Sequence, residues 1–217
     1  MKGEAIPVRI LAVQIIPQAA EALKQSLGLL ENERSLGILT TDCDDASYVA
    51  LDEATKAAAV RVVYARSLYA GSENASTALA GEFIGILAAE SPCEVQSGLQ
   101  AAQRCLAEGC SFISANASGS IRYFAHCVSR TGSYLSQVAG VPEGTPLAYV
   151  IAPPAEAIVG IDAALKSAEV QLARFYGPPT ETNFAGALVA GQQAACVAAC
   201  EAFAEAVIGV AESPLRI

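Results

Sequence analysis

Two tandem α/β (α+β) domains, each a mostly antiparallel sheet carrying helices on one face, are the architecture this sequence predicts. Three observations predict it. The first is an internal repeat: the segment 47–60 recurs at 157–170, with Asp52 over Asp162, Lys56 over Lys166 and Val60 over Val170, each pair 110 residues apart. That spacing is half of a 217-residue chain, so the repeated object is a domain and not a solenoid unit of roughly 20–50 residues. The second is that β-rich runs alternate with Ala-rich stretches in the same order in both halves. The third is that some connections are too short for parallel crossovers. The division falls between residues 1–112 and 113–217, where Asn116-Ala117-Ser118-Gly119 supplies turn chemistry.

The elements follow in order. Val8 to Ile16 is a β-branched run. Pro17 opens a short helix, as Pro does in a first turn, and Gly28 ends it. Ser35 to Thr41 reads as a strand, and Asp42-Cys43-Asp44-Asp45 as the loop after it. Asp52 to Ala59 is an Ala-rich helix and Val60 to Tyr64 a strand. A Gly/Ser/Asn loop covers 70–80, Glu82 to Leu87 is a strand, and Pro92 opens a helix to Ala107. The second half repeats the pattern: strands at 121–128, 147–151, 170–175 and 184–190, and helices at 133–138, 162–168 and 191–211.

Composition narrows the function. Hydrophobic residues make up 53% of the chain and charged residues only 16%, against about 25% in an ordinary soluble domain. The missing charge implies a surface covered by other copies. The net charge is −9, with 13 Lys and Arg that form no cluster, which is the opposite of a nucleic-acid footprint. Apolar runs break after about 8–9 residues, short of a bilayer span. With no secretory leader, the expected location is the cytoplasm and no membrane partner is expected. The seven cysteines have small apolar neighbours and read as reduced core residues.

The conventional chemistries find no support. His126 is the only histidine, and its neighbour Cys127 points to the other face of a strand. Cys196 and Cys200 share a helix face but lack a second pair of ligands. There is no phosphate-binding glycine loop. No nucleophile–base pair, metal motif or cofactor motif emerges, so an enzyme is not expected. What remains is acidic: Asp44 and Asp45, Glu82, and Thr180-Glu181-Thr182 in the matching loop of the second half. Acids and hydroxyls on loops suit an ammonium ion. The second half lacks the first half's acids, since Asp44-Asp45 aligns with Pro154-Ala155.

Particular runs carry a resemblance. Ala50-Leu51-Asp52-Glu53-Ala54-Thr55-Lys56-Ala57-Ala58-Ala59-Val60, and Phe184 to Gly191 before an Ala-rich helix, resemble bacterial microcompartment shell domains. The strand ending in Ile15-Ile16-Pro17 precedes these runs instead of following them, which is similar to the circularly permuted, tandem, trimer-forming branch. Arg66-Ser67-Leu68-Tyr69-Ala70-Gly71, Ser129 to Leu135 and Gly160 to Ala168 resemble its ethanolamine-utilization members. The resemblance implies a flat pseudohexameric homotrimer, tiled with other shell proteins and gating small molecules through pores. It also implies a small pore that binds ethanolamine, lined at positions matching Asp44, Asp45, Glu82, Phe112, Thr180, Glu181 and Thr182, with no cofactor, metal or catalytic residue. The alternative is an ethanolamine sensor that controls a pore or an enclosed enzyme allosterically.

Overall fold

A computed structural model describes residues 1–68 and 77–215. The predicted loop at 70–80 lies largely outside them. In chain order the elements are β1 (Ala5–Ile6), β2 (Ile10–Ile16), α1 (Glu21–Leu27), β3 (Ser35–Thr41), α2 (Asp44–Ala57), β4 (Arg61–Ser67), β5 (Phe83–Ala89), α3 (Pro92–Ala107), β6 (Phe112–Ser114) and β7 (Arg122–Val128). Then follow α4 (Ser133–Ala139), β8 (Leu147–Ala152), α5 (Pro154–Ser167), β9 (Val170–Tyr176), β10 (Ala185–Gly191) and α6 (Gln193–Glu212).

These elements form two compact units. The first comprises Val8–Cys110 and Gly132–Leu135; the second comprises Met1–Pro7, Ser111–Thr131 and Ser136–Ile217. The first unit's sheet has the order β2-β3-β5-β4, and the second unit's has β7-β8-β10-β9 with β6 and β1 added beside β7. Every described strand pairing is antiparallel. The repeat read in the sequence is thus a repeat of topology. The sequence pattern did not disclose the β1–β6 pair, in which Ala5 faces Ile113 and Ile6 faces Phe112. Two- and three-residue strands carry too little periodicity to be seen.

In the first unit, Gly37, Leu39 and Thr41 of β3 face Leu87, Gly85 and Phe83 of β5. On a pleated sheet these residues share one face. Val95 and Leu99 of α3 meet Gly37, and Leu51 of α2 meets Gly85, so both long helices cover that face. Leu36 and Ala88 turn to the other face and pack with Leu27 of α1. The second unit buries Tyr123, Val150, Ala187 and Val189 of its sheet against Ala157, Ile161, Cys196, Ala199 and Phe203. Gly160 is required there, because a Cβ at that position would stand 2.6 Å from the Phe203 ring.

Helix boundaries depart from expectation at α1, which begins at Glu21 and not at Pro17, and at two equivalent places in the two units. Helix α2 begins at Asp44, not Asp52, and α5 begins at Pro154, not Asp162. Asp42–Asp45 is therefore not all loop. Acidic residues favour a helical first turn because the N-terminal end of the helix dipole is positive. Helix α6 is long and apolar enough, by length and composition, to cross a membrane. Glu201 and Glu205 interrupt its apolar runs in sequence, while Cys196, Ala199, Cys200, Phe203 and Val207 form a buried stripe within the unit. All seven cysteines are free.

Asp52 is the most exacting residue of the first unit. Its side chain is fully buried and accepts hydrogen bonds from Gly132 N at 2.7 Å and Leu135 N at 2.8 Å. It thus caps the first turn of α4, with Lys56 Nζ at 3.7 Å. Its repeat partner Asp162 is 63% exposed and meets Lys166. Asp52→Ala is expected to cost about 3 kcal/mol, since it strips a charged acceptor from two buried donors. Asp162→Ala should stay within about 0.5 kcal/mol of the parent. Denaturant unfolding of the two variants side by side checks the difference; equal midpoints would refute it.

Candidate functional site

The acids selected from the sequence gather within the first unit at the head of α2. Cys43 takes the N-cap position in extended backbone, and Asp44 and Asp45 form the first turn. Thr41 and Cys43 are tied together: Thr41 Oγ1 donates to Cys43 O at 2.7 Å, and Ser47 Oγ donates to the same carbonyl at 2.7 Å. Glu82 is brought alongside by the chain entering β5, where Glu82 N donates to Thr41 O at 2.9 Å and Leu68 N donates to Glu82 O at 2.7 Å. Gly81 makes this approach feasible. Its φ of +62° suits glycine, and a Cβ there would lie 2.2 Å from Thr41 O.

The electrostatics of this corner are unusual. Asp44 and Asp45 are only 6% and 5% exposed. Burial raises the Asp44 carboxyl above the ordinary carboxylate range, against the pull of hydrogen bonds from Ser67, from the Asp45 N–H and from the Asp45 side chain. The Asp45 N–H lies 2.9 Å from Asp44 Oδ1. Cys43 registers the same field: burial first, then the charges of Asp44, Asp45 and Glu82, push its thiol well up. Three carboxyls thus act on one sulfur, and the thiol stays protonated. The arrangement suits a compact cation, which relieves carboxylate repulsion as it binds.

The other selected residues belong to the second unit. Thr180, Glu181 and Thr182 lie between β9 and β10, with Glu181 exposed and both threonines half-buried. The turn is closed by Thr180 N donating to Phe184 O at 3.1 Å and Asn183 N donating to Thr180 O at 3.1 Å. Phe112 is 7% exposed, and its ring packs against Phe124 at 5.5 Å and Phe184 at 5.7 Å. It therefore touches the residue that closes the threonine turn, but most of its surface is already packed. His126 stacks on Phe124 at 5.7 Å. Cys196 and Cys200 are core residues. Among the described residues no three His, Cys, Asp or Glu side chains group closely enough to hold a metal ion.

Sequence reasoning missed Ser67 and Tyr48. Ser67 opposes the rise of the Asp44 carboxyl, and Tyr48 Oη lies 2.8 Å from Ser67 Oγ. One trace was available: Tyr48 and Ser67 stand over Ile158 and Gly177, so they change together with the acids between the two halves.

Comparison with known proteins places this geometry. Residues 35–117 match the BMC domain model. The chain is 58% identical over 215 residues to the bacterial microcompartment shell protein EutL of Clostridium perfringens, covering 99% of both. The chain belongs to the EutL family of bacterial microcompartment shell proteins. The Salmonella typhimurium EutL is 47% identical over 207 residues, covering 95% of this chain and 94% of that relative. The crystal structure of the ethanolamine utilization protein EutL from Leptotrichia buccalis superposes with a TM-score of 0.98, at 57% identity and full coverage of both chains. The chain is therefore a shell protein, located in the microcompartment shell in the cytoplasm.

The raised Asp44 carboxyl has a consequence for stability. The folded state binds its proton more tightly than the unfolded chain does. Its contribution to stability is complete below the unfolded carboxylate value of about 3.9 and is lost as pH rises through the raised folded value. Asp44→Asn should accordingly be more stable than the parent at pH 7, with the advantage fading at acid pH. Unfolding curves at both pH values check this. A variant less stable at pH 7 would show that ionised Asp44 supports the fold.

Proposed function

We propose that this chain is a structural tile of the ethanolamine-utilization microcompartment and not an enzyme. Three copies close a flat pseudohexameric ring that tiles with other shell proteins and gates the passage of small molecules. Asp44, Asp45 and Glu82 of the first unit take ethanolamine, and the resemblance adds Phe112, Thr180, Glu181 and Thr182 of the second unit as small-pore residues. The observation that carries the binding part is the buried carboxyl pair Asp44–Asp45 with Glu82 beside it. A buried cluster of like charge costs stability, and a site for a cation gives that cost a use. The ammonium group takes the carboxylates through charge-assisted hydrogen bonds. The assembly part is supported by the duplicated domain, because three chains then supply six similar lobes to a closed ring, and by the low charged content of 16%.

Asp45→Ala and Glu82→Ala should each weaken ethanolamine binding by roughly 2–3 kcal/mol, the range for losing a hydrogen bond to a charged group. Isothermal calorimetry reads this directly, and parental affinity in both variants would remove the acids from the site. Sedimentation equilibrium should return about three times 22.2 kDa for the parent and both variants. A monomer at micromolar concentration would overturn the ring.

A further inference from the structure

Thr41, the last residue of β3, is where the two acidic segments of the first unit are joined. Its hydroxyl, the Ser47 hydroxyl and the Cys43 carbonyl stand 2.7 Å from one another, so two hydroxyl protons serve a closed triangle of three oxygens. The Cys43 N–H also donates to Thr41 Oγ1 at 3.3 Å. One side chain thus holds both the N–H and the carbonyl of the N-cap residue, and Asp44 and Asp45 follow directly from it. The Thr41 carbonyl accepts from Glu82 N at 2.9 Å. All three acids are therefore tied to Thr41 by bonds to the backbone, two through its hydroxyl and one through its carbonyl. Thr41 and Ser47 are themselves fully buried, out of reach of a ligand.

Starting a helix does not call for this triangle. Helix α5 begins at the equivalent point, and residues 151–157 carry no hydroxyl at all. Ser47 stands over Ala157 in the repeat, and both are fully buried. A serine that bonds back to the carbonyl four residues earlier slightly weakens a helix relative to alanine. The hydroxyls are present in the unit that has the acids and absent from the unit that lacks them.

We propose that Thr41 and Ser47 are positioning residues of the acidic site, whose hydroxyls fix Cys43, and with it Asp44 and Asp45, at the spacing from Glu82 that a cationic ligand requires. The inference rests on the ethanolamine reading for the identity of the ligand, but not for the placement of the acids. Without the Thr41 hydroxyl, the N-cap residue loses a partner at its N–H and another at its carbonyl, and the first turn of α2 is freed relative to Glu82. An ammonium ion shared among carboxylates responds to that freedom, because charge-assisted hydrogen bonds depend on distance and angle.

Four variants test this. Thr41→Val keeps the shape of the side chain without its hydroxyl, Thr41→Ser keeps the hydroxyl, and Ser47→Ala installs the second unit's residue. Thr40→Val is the matched control: it deletes the preceding hydroxyl on β3, which has no hydrogen-bond partner among the described residues. Calorimetry well below the melting temperature should show ethanolamine affinity lowered roughly tenfold in Thr41→Val and Ser47→Ala, the scale of one hydrogen bond. Thr41→Ser and Thr40→Val should bind like the parent. In ligand-free protein, amide hydrogen exchange should quicken only within residues 42–48 and 81–84 of Thr41→Val and within 42–48 of Ser47→Ala. Should Thr41→Val fail to fold, Ser47→Ala carries the test. Parental affinity in both hydroxyl-deleted variants overturns the proposal. An equal loss of affinity in Thr40→Val, or exchange that quickens across the whole unit, overturns it too, since either marks a general loss of packing. If exchange quickens as expected but the parent does not bind ethanolamine, the ethanolamine reading fails and the placement of the acids stands. If the parent binds and no variant differs from it, the positioning residues are wrongly assigned and the ethanolamine reading is untouched.

Discussion

A buried carboxylate needs donors, and the first unit is organised around meeting that need along a single helix. Helix α2 carries Asp44 and Asp45 at its head and Asp52 two turns on, all nearly or fully buried. Asp52 has two backbone N–H groups and a lysine, and the donors it takes are the otherwise unpaired first-turn amides of α4. One interaction therefore satisfies a buried charge and an uncapped helix end together. Asp44 has the neighbouring Asp45 amide at 2.9 Å, and burial raises both carboxyls above the ordinary carboxylate range against the bonds they accept.

The two units show what duplication retains and what it releases. Small residues survive in both, because close approach of helix and sheet leaves no room: Gly85 lies under Leu51 in the first unit, and Gly160 lies under Phe203 in the second. The sheet order survives as well. The polar chemistry does not. Where the first unit has Asp44, Asp45, Tyr48 and Ser67, the second has Pro154, Ala155, Ile158 and Gly177. Pro154 suits the first turn of α5 as well as an acid suits α2, so the fold is indifferent to the exchange. A position that is indifferent for folding and elaborately hydrogen-bonded in only one copy is where function has room to act.

The strands and long helices were legible because their period and their punctuation agree. Gly28 closes α1 in left-handed backbone and Pro92 opens α3, as their chemistry requires. The start of α2 was hidden because Asp and Asn are as common in turns as in helical first turns. The choice between the two depends on whether the next residues are packed. Phe112 was legible only through family resemblance; no local pattern distinguishes a ring that lines a site from one that packs against Phe124 and Phe184.

By itself, the sequence determined the duplication, the antiparallel strand menu, the absence of a basic surface and the list of acids worth attention. Each of these is a property of residue type and spacing, which chain order preserves. Only the tertiary structure decided that Asp44 is buried while Asp162 lies in solvent, and that Glu82 joins Asp44 and Asp45 beside one thiol. Those outcomes depend on which groups from β4, β5 and α2 meet, and on how much water their meeting excludes. Ionisation responds to that local dielectric and to donors placed within about 3 Å, distances that linear spacing does not encode.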